Sequence, residues 1–593
     1  MNYSADRPID KEEQDLLGRS FFSKQLGKAI YEYDGKDGLV VGLFGKWGTG
    51  KTSVINLAIN EINDLVDDKE NEPIIMRFSP WNYSDKDNLI SLFFQSLKHK
   101  INLQDNEVIK KKVGKALSDY AGAFDALSLV PIVGSGAAAV FKTLAQAQGS
   151  NLMQEANLDK TREKLEKALI EAKKKIIIVI DDIDRLTNSQ IRDVFQLVKQ
   201  VADFPNIIYI LAMDREVVRS ALSEVHNIDG NEYLEKIIQV PFEIPELRKP
   251  KLHNILFTKL DQIIKDIPGE VVWDKYYWNN VFSNCIAPYI NTLRDVNRVI
   301  NTFLFRYEMV YQETSFEDML GITTLEVLVP ELYRWISSNK DAVCGGPMHG
   351  FLVNGSNKPD YRQLYYDEFK SLGIDPDIAL RCVSTMFPVF AKDVCEVQYS
   401  YQSKSDIRGM MRVADEGRFE LYFMFDLDDI KVSRMIISAC IYKLEKDQLC
   451  ILIKKINEQG NIIYFIEEIR ALVDKIPYER LSLVLSVVLD LLGEFSGEYP
   501  RGIFTISASD LAEHLVNDMI RMLKTEDEIY EVVRSAVIDT NKTGLGKVAR
   551  IINRIELAYG RLAGETEDKH NQIISLEHLT LDRRKSRTTL IYS

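Results

Sequence analysis

At 593 residues the chain is too long for one hydrophobic core, and its length predicts about three to five domains. A hydrophobic share of 46% with 27% charged residues excludes a disordered or fibrous chain. The net charge of −14 argues against a general nucleic-acid coat, while leaving room for a local basic face. Six cysteines (Cys285, Cys344, Cys382, Cys395, Cys440, Cys450) form no C-x-x-C pair, and no histidine is spaced with them for zinc. They read as free thiols in a reducing compartment, so a cytoplasmic location is expected. The segment Met1–Asp6 has no basic stretch leading into an apolar one, so no secretory signal is expected.

Residues 1–38 carry Leu16, Leu17, Phe21, Phe22, Leu26, Ala29 and Ile30 at near-helical spacing, which predicts a helix packed by its apolar face. Leu39-Val40-Val41-Gly42-Leu43-Phe44 is a short apolar run that predicts a buried parallel strand. Next comes Gly45-Lys46-Trp47-Gly48-Thr49-Gly50-Lys51-Thr52, which fills every fixed position of the phosphate-loop pattern G-x-x-x-x-G-K-[ST]. From Ser53 to Asp64 the period is that of an amphipathic helix. A strand, a Gly-rich loop and a helix in this order let backbone N–H groups and a positive helix end face phosphates. The expected nucleotide-binding set is therefore Gly45, Trp47, Gly48, Thr49, Gly50, Lys51, Thr52 and Ser53. Lys51 would reach the β- and γ-phosphates and the Thr52 hydroxyl would hold Mg²⁺.

Pro73–Phe78 predicts a second strand ending in Ser79-Pro80-Trp81, and Leu89–Leu97 a helix. Residues 100–175 read as an insert. Its apolar middle, Ala121–Phe141, is about one membrane span long, but Asp125 and its small residues favour a buried or membrane-surface hairpin over a span. Gln154–Lys175 reads as a charged helix. Ile176-Ile177-Ile178-Val179-Ile180 then predicts a central strand ending in Asp181-Asp182-Ile183-Asp184-Arg185. Asp181 fits a Walker-B metal ligand, and Asp182 stands where a carboxylate could deprotonate an attacking water. Ile207–Met213 is another central strand, ending in Asp214 and Arg215. Asp214 is a candidate sensor and Arg215 a candidate phosphate contact, with a helix-end ion pair as the alternative for both. Ile237–Ile244 predicts a fifth strand, which Pro241 confines to an edge.

These motifs, with Asp6-Arg7-Pro8-Ile9, Asp15-Leu16-Leu17-Gly18-Arg19, Phe78-Ser79-Pro80-Trp81, Ala212–Val218 and Tyr233–Pro241, resemble the KAP family of P-loop NTPases. Leu293-Arg294-Asp295-Val296-Asn297-Arg298 resembles the family's helical lid, and Arg418-Phe419-Glu420-Leu421-Tyr422-Phe423 a further short motif. The resemblance implies an α/β P-loop NTPase of the STAND class related to AAA+ proteins. Its mostly parallel sheet would have five strands, one of them between the loop strand and the Walker-B strand. It also implies ATP and Mg²⁺ as cofactors and Arg298 as a lid arginine at the γ-phosphate, with Arg185 and Arg215 as alternatives. Many bacterial members sit in anti-phage defence operons, the four-component Qat-type systems among them, and work in multi-protein assemblies. Family members often carry two membrane spans in the insert. Only the weak 121–141 stretch appears here, which favours the soluble members.

The expected domains are 1–245 for the nucleotide fold, 246–330 for a helical lid and 331–430 for a mixed α/β or irregular region. A helical domain occupies 431–563, then a polar tail over 564–593 carries Arg583-Arg584-Lys585. The functional expectation is a Mg-dependent, ATP-hydrolysing switch with protein partners. Homo-oligomers are compatible with it, whereas the charge does not point to nucleic acid. A nucleotide-stabilised scaffold with little turnover and a small-molecule P-loop kinase are the alternatives. Asn541-Lys542-Thr543-Gly544 lacks the Asp of a GTPase N-K-x-D motif.

Overall fold

The computed structural model describes residues 7–35, 37–68, 72–82, 89–103, 107–128, 151–201, 203–223, 229–245, 247–268, 271, 273–345, 360–394, 403–424, 430–501, 504–539, 547–552 and 574–582. Two compact units divide the chain. Of the described residues, one takes in those up to Ile255 with Asn291–Arg294, and the other takes in Leu256–Ile290 with those from Asp295 onward.

The first unit is built on five strands: β1 (Leu39–Phe44), β2 (Ile74–Phe78), β3 (Ile176–Ile180), β4 (Ile207–Met213) and β5 (Val240–Glu243). They lie in the order β2-β3-β4-β1-β5, and every neighbouring pair is parallel. The strand expected between the loop strand and the acidic strand is β4, which pairs with both. The fifth strand is shorter than its apolar run, because Ile237 ends a helix before the edge strand starts. Its Pro241 costs no ladder bond at the sheet edge.

Alternation assigns the strand side chains to two cores. Ile176, Ile178 and Ile180 face one cluster, with Phe93, Phe94 and Tyr209. Ile177 and Val179 face the other, with Val54, Ile55, Leu26 and Ile30. That second layer is α1 (Ser20–Glu32) and α2 (Lys51–Asp64). Helix α1 starts four residues after Leu16, which is exposed, as is Phe21. The first layer holds α3 (Leu89–Asn102), α4 (Glu107–Ser128) and α5 (Asn151–Ala172). The insert thus joins the core, with Ile109, Val113, Leu117, Tyr120, Leu165 and Leu169 all buried. Of the 121–141 stretch, Ala121–Ser128 continues α4 and the remainder lies outside the described residues. Among the described residues no helix is long and apolar enough to cross a membrane.

The second unit is helical, with one antiparallel hairpin of β6 (Glu498–Arg501) and β7 (Phe504–Ser507). Where a mixed or irregular region is expected, the described residues of 331–430 carry helices and turns and no strand. Those helices are short, so the 3.6-residue period does not emerge, and polar caps start them: Asp360, Asp375 and Ser403 each accept from a first-turn backbone N–H. From Val432 to Ile551 apolar stripes pack into one cluster. In the tail read as polar, residues 574–582 are helical, and Leu576 is buried against Val533, Val537, Val548 and Ile552. Arg583-Arg584-Lys585 lie outside the described residues.

An ionic cluster is sealed inside this unit. Arg418 meets Glu468 at 2.6 Å, Asp415 at 3.1 Å and Glu313 at 3.6 Å. Arg408 pairs with Glu467 and Asp415, and Arg434 lies 3.6 Å from Glu468. Burial alone would lower Arg418, but Glu468, Asp415 and Glu313 outweigh it and hold the guanidinium above its usual value.

Candidate nucleotide site

The loop after β1 is held at both ends. The Gly45 N–H donates to the Met213 carbonyl at 3.1 Å, tying the loop to the end of β4. Gly48 and Gly50 take φ values of 79° and 88°, a left-handed backbone that a Cβ makes costly, so the turn calls for glycine at both places. Lys51 then opens α2, which puts the loop at the positive helix end. Arg19, 7% exposed, donates to the carbonyls of Thr49 and Pro245 and props the loop from behind. The segment ahead of α1 straps α2: Ile9 N–H donates to Ser53 Oγ at 3.2 Å, and Asn56 donates to the Ile9 carbonyl at 3.0 Å.

At the end of β3 the three carboxylates separate by role. Asp181 Oδ2 accepts from the Thr52 hydroxyl at 2.7 Å, and its Oδ1 accepts from the Asp182 N–H at 2.8 Å. Lys51 Nζ donates to Asp184 Oδ2 at 2.8 Å and to the Gly45 carbonyl at 2.9 Å. Asp182 has a left-handed backbone, φ 61°, and its Oδ1 pairs with Arg185 at 2.8 Å. Burial, and then the neighbouring Asp181 carboxylate, raises Asp182 from its ordinary value, with Arg185 pulling against them. A raised carboxylate is a better proton acceptor at neutral pH.

The structure brings Lys51, Thr52, Asp181 and Asp182 together, with Asp184 as an addition. No group of three His, Cys, Asp or Glu side chains able to hold a metal occurs among the described residues. Magnesium does not need one. It is commonly held by one or two protein oxygens, water and the substrate's phosphates, and the Thr52–Asp181 oxygen pair fits that donor set.

Three further predicted residues, Asp214, Arg215 and Arg298, are engaged elsewhere. The Asp214 carboxylate accepts from the Glu216 N–H at the start of a helix. Arg215 pairs with Glu243 at 2.8 Å and lies over the Phe44 ring. Arg298 donates to the Val327 carbonyl at 3.2 Å. The arginine of that motif that meets the loop is Arg294, 5.5 Å from the Trp47 ring centroid and with its Cβ beside Gly48. Sequence spacing could not decide between them, since Arg294 and Arg298 sit one turn apart on one helix. Asp184 had a visible signal, a third acid in the Asp181–Arg185 run, but its partner lies 133 residues away.

Residues 19–310 match the KAP family P-loop domain. The Phage T7 exclusion protein of Escherichia coli (strain K12) is 26% identical over 393 residues, covering 60% of this chain and 50% of that protein. The chain therefore spans about half the length of the curated relative it matches. Two solved structures from Aeropyrum pernix also align. The ORC2 protein in ADPNP–ADP complexes has a TM-score of 0.28 and 11% identity, over 64% of this chain and 95% of that one. The ORC1 protein in complex with DNA has a TM-score of 0.28 and 13% identity, over 65% and 95%. The strand order and the loop geometry carry the fold here, independently of those two alignments.

Proposed function

Residues 19–310 being a KAP family P-loop NTPase domain, we propose that the chain is a Mg²⁺-dependent ATPase that switches between nucleotide-dependent arrangements. The observation that supports this most is the 2.7 Å approach of the Thr52 hydroxyl to Asp181, with Lys51 Nζ held beside them. ATP and Mg²⁺ would supply the transferable phosphoryl group and its charge-neutralising cation. Thr52 and Asp181 would hold the metal, and Lys51 would leave Asp184 to offset phosphate charge. Asp182 orients a water and takes its proton. Arg294 is the cation of the lid motif placed to reach the loop. Only a difference in affinity between two arrangements lets nucleotide drive a switch.

The name of the relative, Phage T7 exclusion protein, supports a role in anti-phage defence, and we place the chain in a cytoplasmic multi-protein assembly. Phosphate release by the wild type and by Asp182→Asn tests the chemistry. The variant should bind ATP normally and release phosphate about 100-fold more slowly, the usual loss with a general base. Equal rates would refute hydrolysis through Asp182. Co-purification of the native complex with wild-type and Lys51→Ala chains tests the assembly; identical partner sets would remove the nucleotide from its control.

A further inference from the structure

Trp47 projects from the phosphate loop with 55% of its surface exposed. Its ring is not bare. The Arg185 guanidinium lies 5.0 Å from the ring centroid, and Arg294 lies 5.5 Å away. Both are within cation–π range. Arg185 in turn grips Asp182 Oδ1 at 2.8 Å, while Asp182 Oδ2 makes no bond among the described residues. One carboxylate oxygen is thus anchored and the other is left open. The Asp182 backbone is left-handed, a conformation that aspartate adopts more readily than most residues.

We propose that Trp47 is a positioning residue: it holds Arg185 by its ring face, and Arg185 fixes the Asp182 carboxylate so that the free oxygen points at the attacking water. This rests on the ATPase reading above. It makes the phosphate loop and the acidic strand end one mechanical element, with the link running through an aromatic ring and not through the backbone. Placement of this kind acts on turnover more than on affinity, because the aligned water matters in the transition state and not in nucleotide binding.

The experiment is a double-mutant cycle on the full chain. Steady-state phosphate release gives kcat, and a fluorescent ATP analogue gives Kd. Trp47→Leu should lower kcat about 5-fold, the worth of one part-exposed cation–π contact, with Kd within about 2-fold of wild type. Trp47→Phe keeps a ring and should recover most of the loss. Arg185→Gln should lower kcat at least as far as Trp47→Leu, and the double variant should be no slower than Arg185→Gln alone, because the two act in series. Multiplying effects, or a raised Kd with kcat unchanged in Trp47→Leu, would overturn the inference and leave Trp47 as part of the nucleotide pocket. If Trp47→Leu fails to fold, Trp47→Phe with and without Arg185→Gln completes the test. Absence of turnover in the wild type would end the ATPase reading and this inference together, whereas turnover with independent effects ends the inference alone.

Discussion

The two units treat charge in opposite ways. In the helical unit Arg418 is surrounded by Glu468, Asp415 and Glu313, and the cluster is sealed from water. At the end of β3 the acids are only partly satisfied: Asp182 keeps an open oxygen, and Asp181 accepts from a hydroxyl that a metal could share. A saturated buried cluster fixes which helices meet. Carboxylates left short of partners at a strand end are available for chemistry. The contrast makes separable claims, because damage to the first should appear as lost stability and damage to the second as lost turnover.

The largest effect is expected at the sealed cluster. Arg418→Leu leaves Glu468, Asp415 and Glu313 buried together without their central cation, and should cost about 3–5 kcal/mol in denaturant unfolding of the helical unit. A loss below about 1 kcal/mol would place the cluster among ordinary surface pairs and erase the contrast.

A pH effect of order 3 kcal/mol comes next, from Asp318. Burial raises this acid to about 6; Arg412, the Tyr277 hydroxyl and the Val413 N–H offset only part of that. Its folded value lies above its unfolded one, so the fold binds the proton more tightly. Stability should therefore rise as pH falls from about 7 through 6 toward 4. Hydrogen exchange at the Val413 amide, compared between wild type and Asp318→Asn across that window, reads it out. A shared slope would contradict the assignment.

Asp182→Asn is third, at about 100-fold in phosphate release with the unfolding midpoint unchanged. A smaller effect belongs to Asp184→Asn. Lys51 then faces only neutral acceptors, the Gly45 carbonyl and an amide oxygen, so phosphate no longer competes with a carboxylate for it. ATP should bind about 10-fold tighter, at some cost to the unliganded protein, since a largely buried charge has lost its partner. Weaker binding in a titration would mean that Asp184 serves the nucleotide directly.

Much of the nucleotide fold was legible because its signals are local. Ile176–Ile180 declares a buried strand from five residues, Pro241 declares an edge, and the loop pattern is contiguous. The insertion of β4 beside β1 came from the family resemblance, not from periodicity. Pairing at long range stayed hidden. Arg19 reaches the Pro245 carbonyl across 226 residues, and Lys51 reaches Asp184 across 133. Nothing in the spacing of Arg294 and Arg298 says which one meets Trp47. The short helices of 331–430 hid for another reason, since two or three turns give a periodic pattern too little length to emerge.

In the proposed ATPase the Thr52 hydroxyl and the Asp181 carboxylate would meet on one metal ion carrying a nucleotide's phosphates. Calorimetric titration of ATP into wild type and Asp181→Asn, with and without Mg²⁺, tests it most directly. Magnesium should strengthen binding to the wild type by about 10-fold or more, and Asp181→Asn should lose most of that gain. Binding that ignores magnesium, or a gain that Asp181→Asn keeps in full, would contradict it.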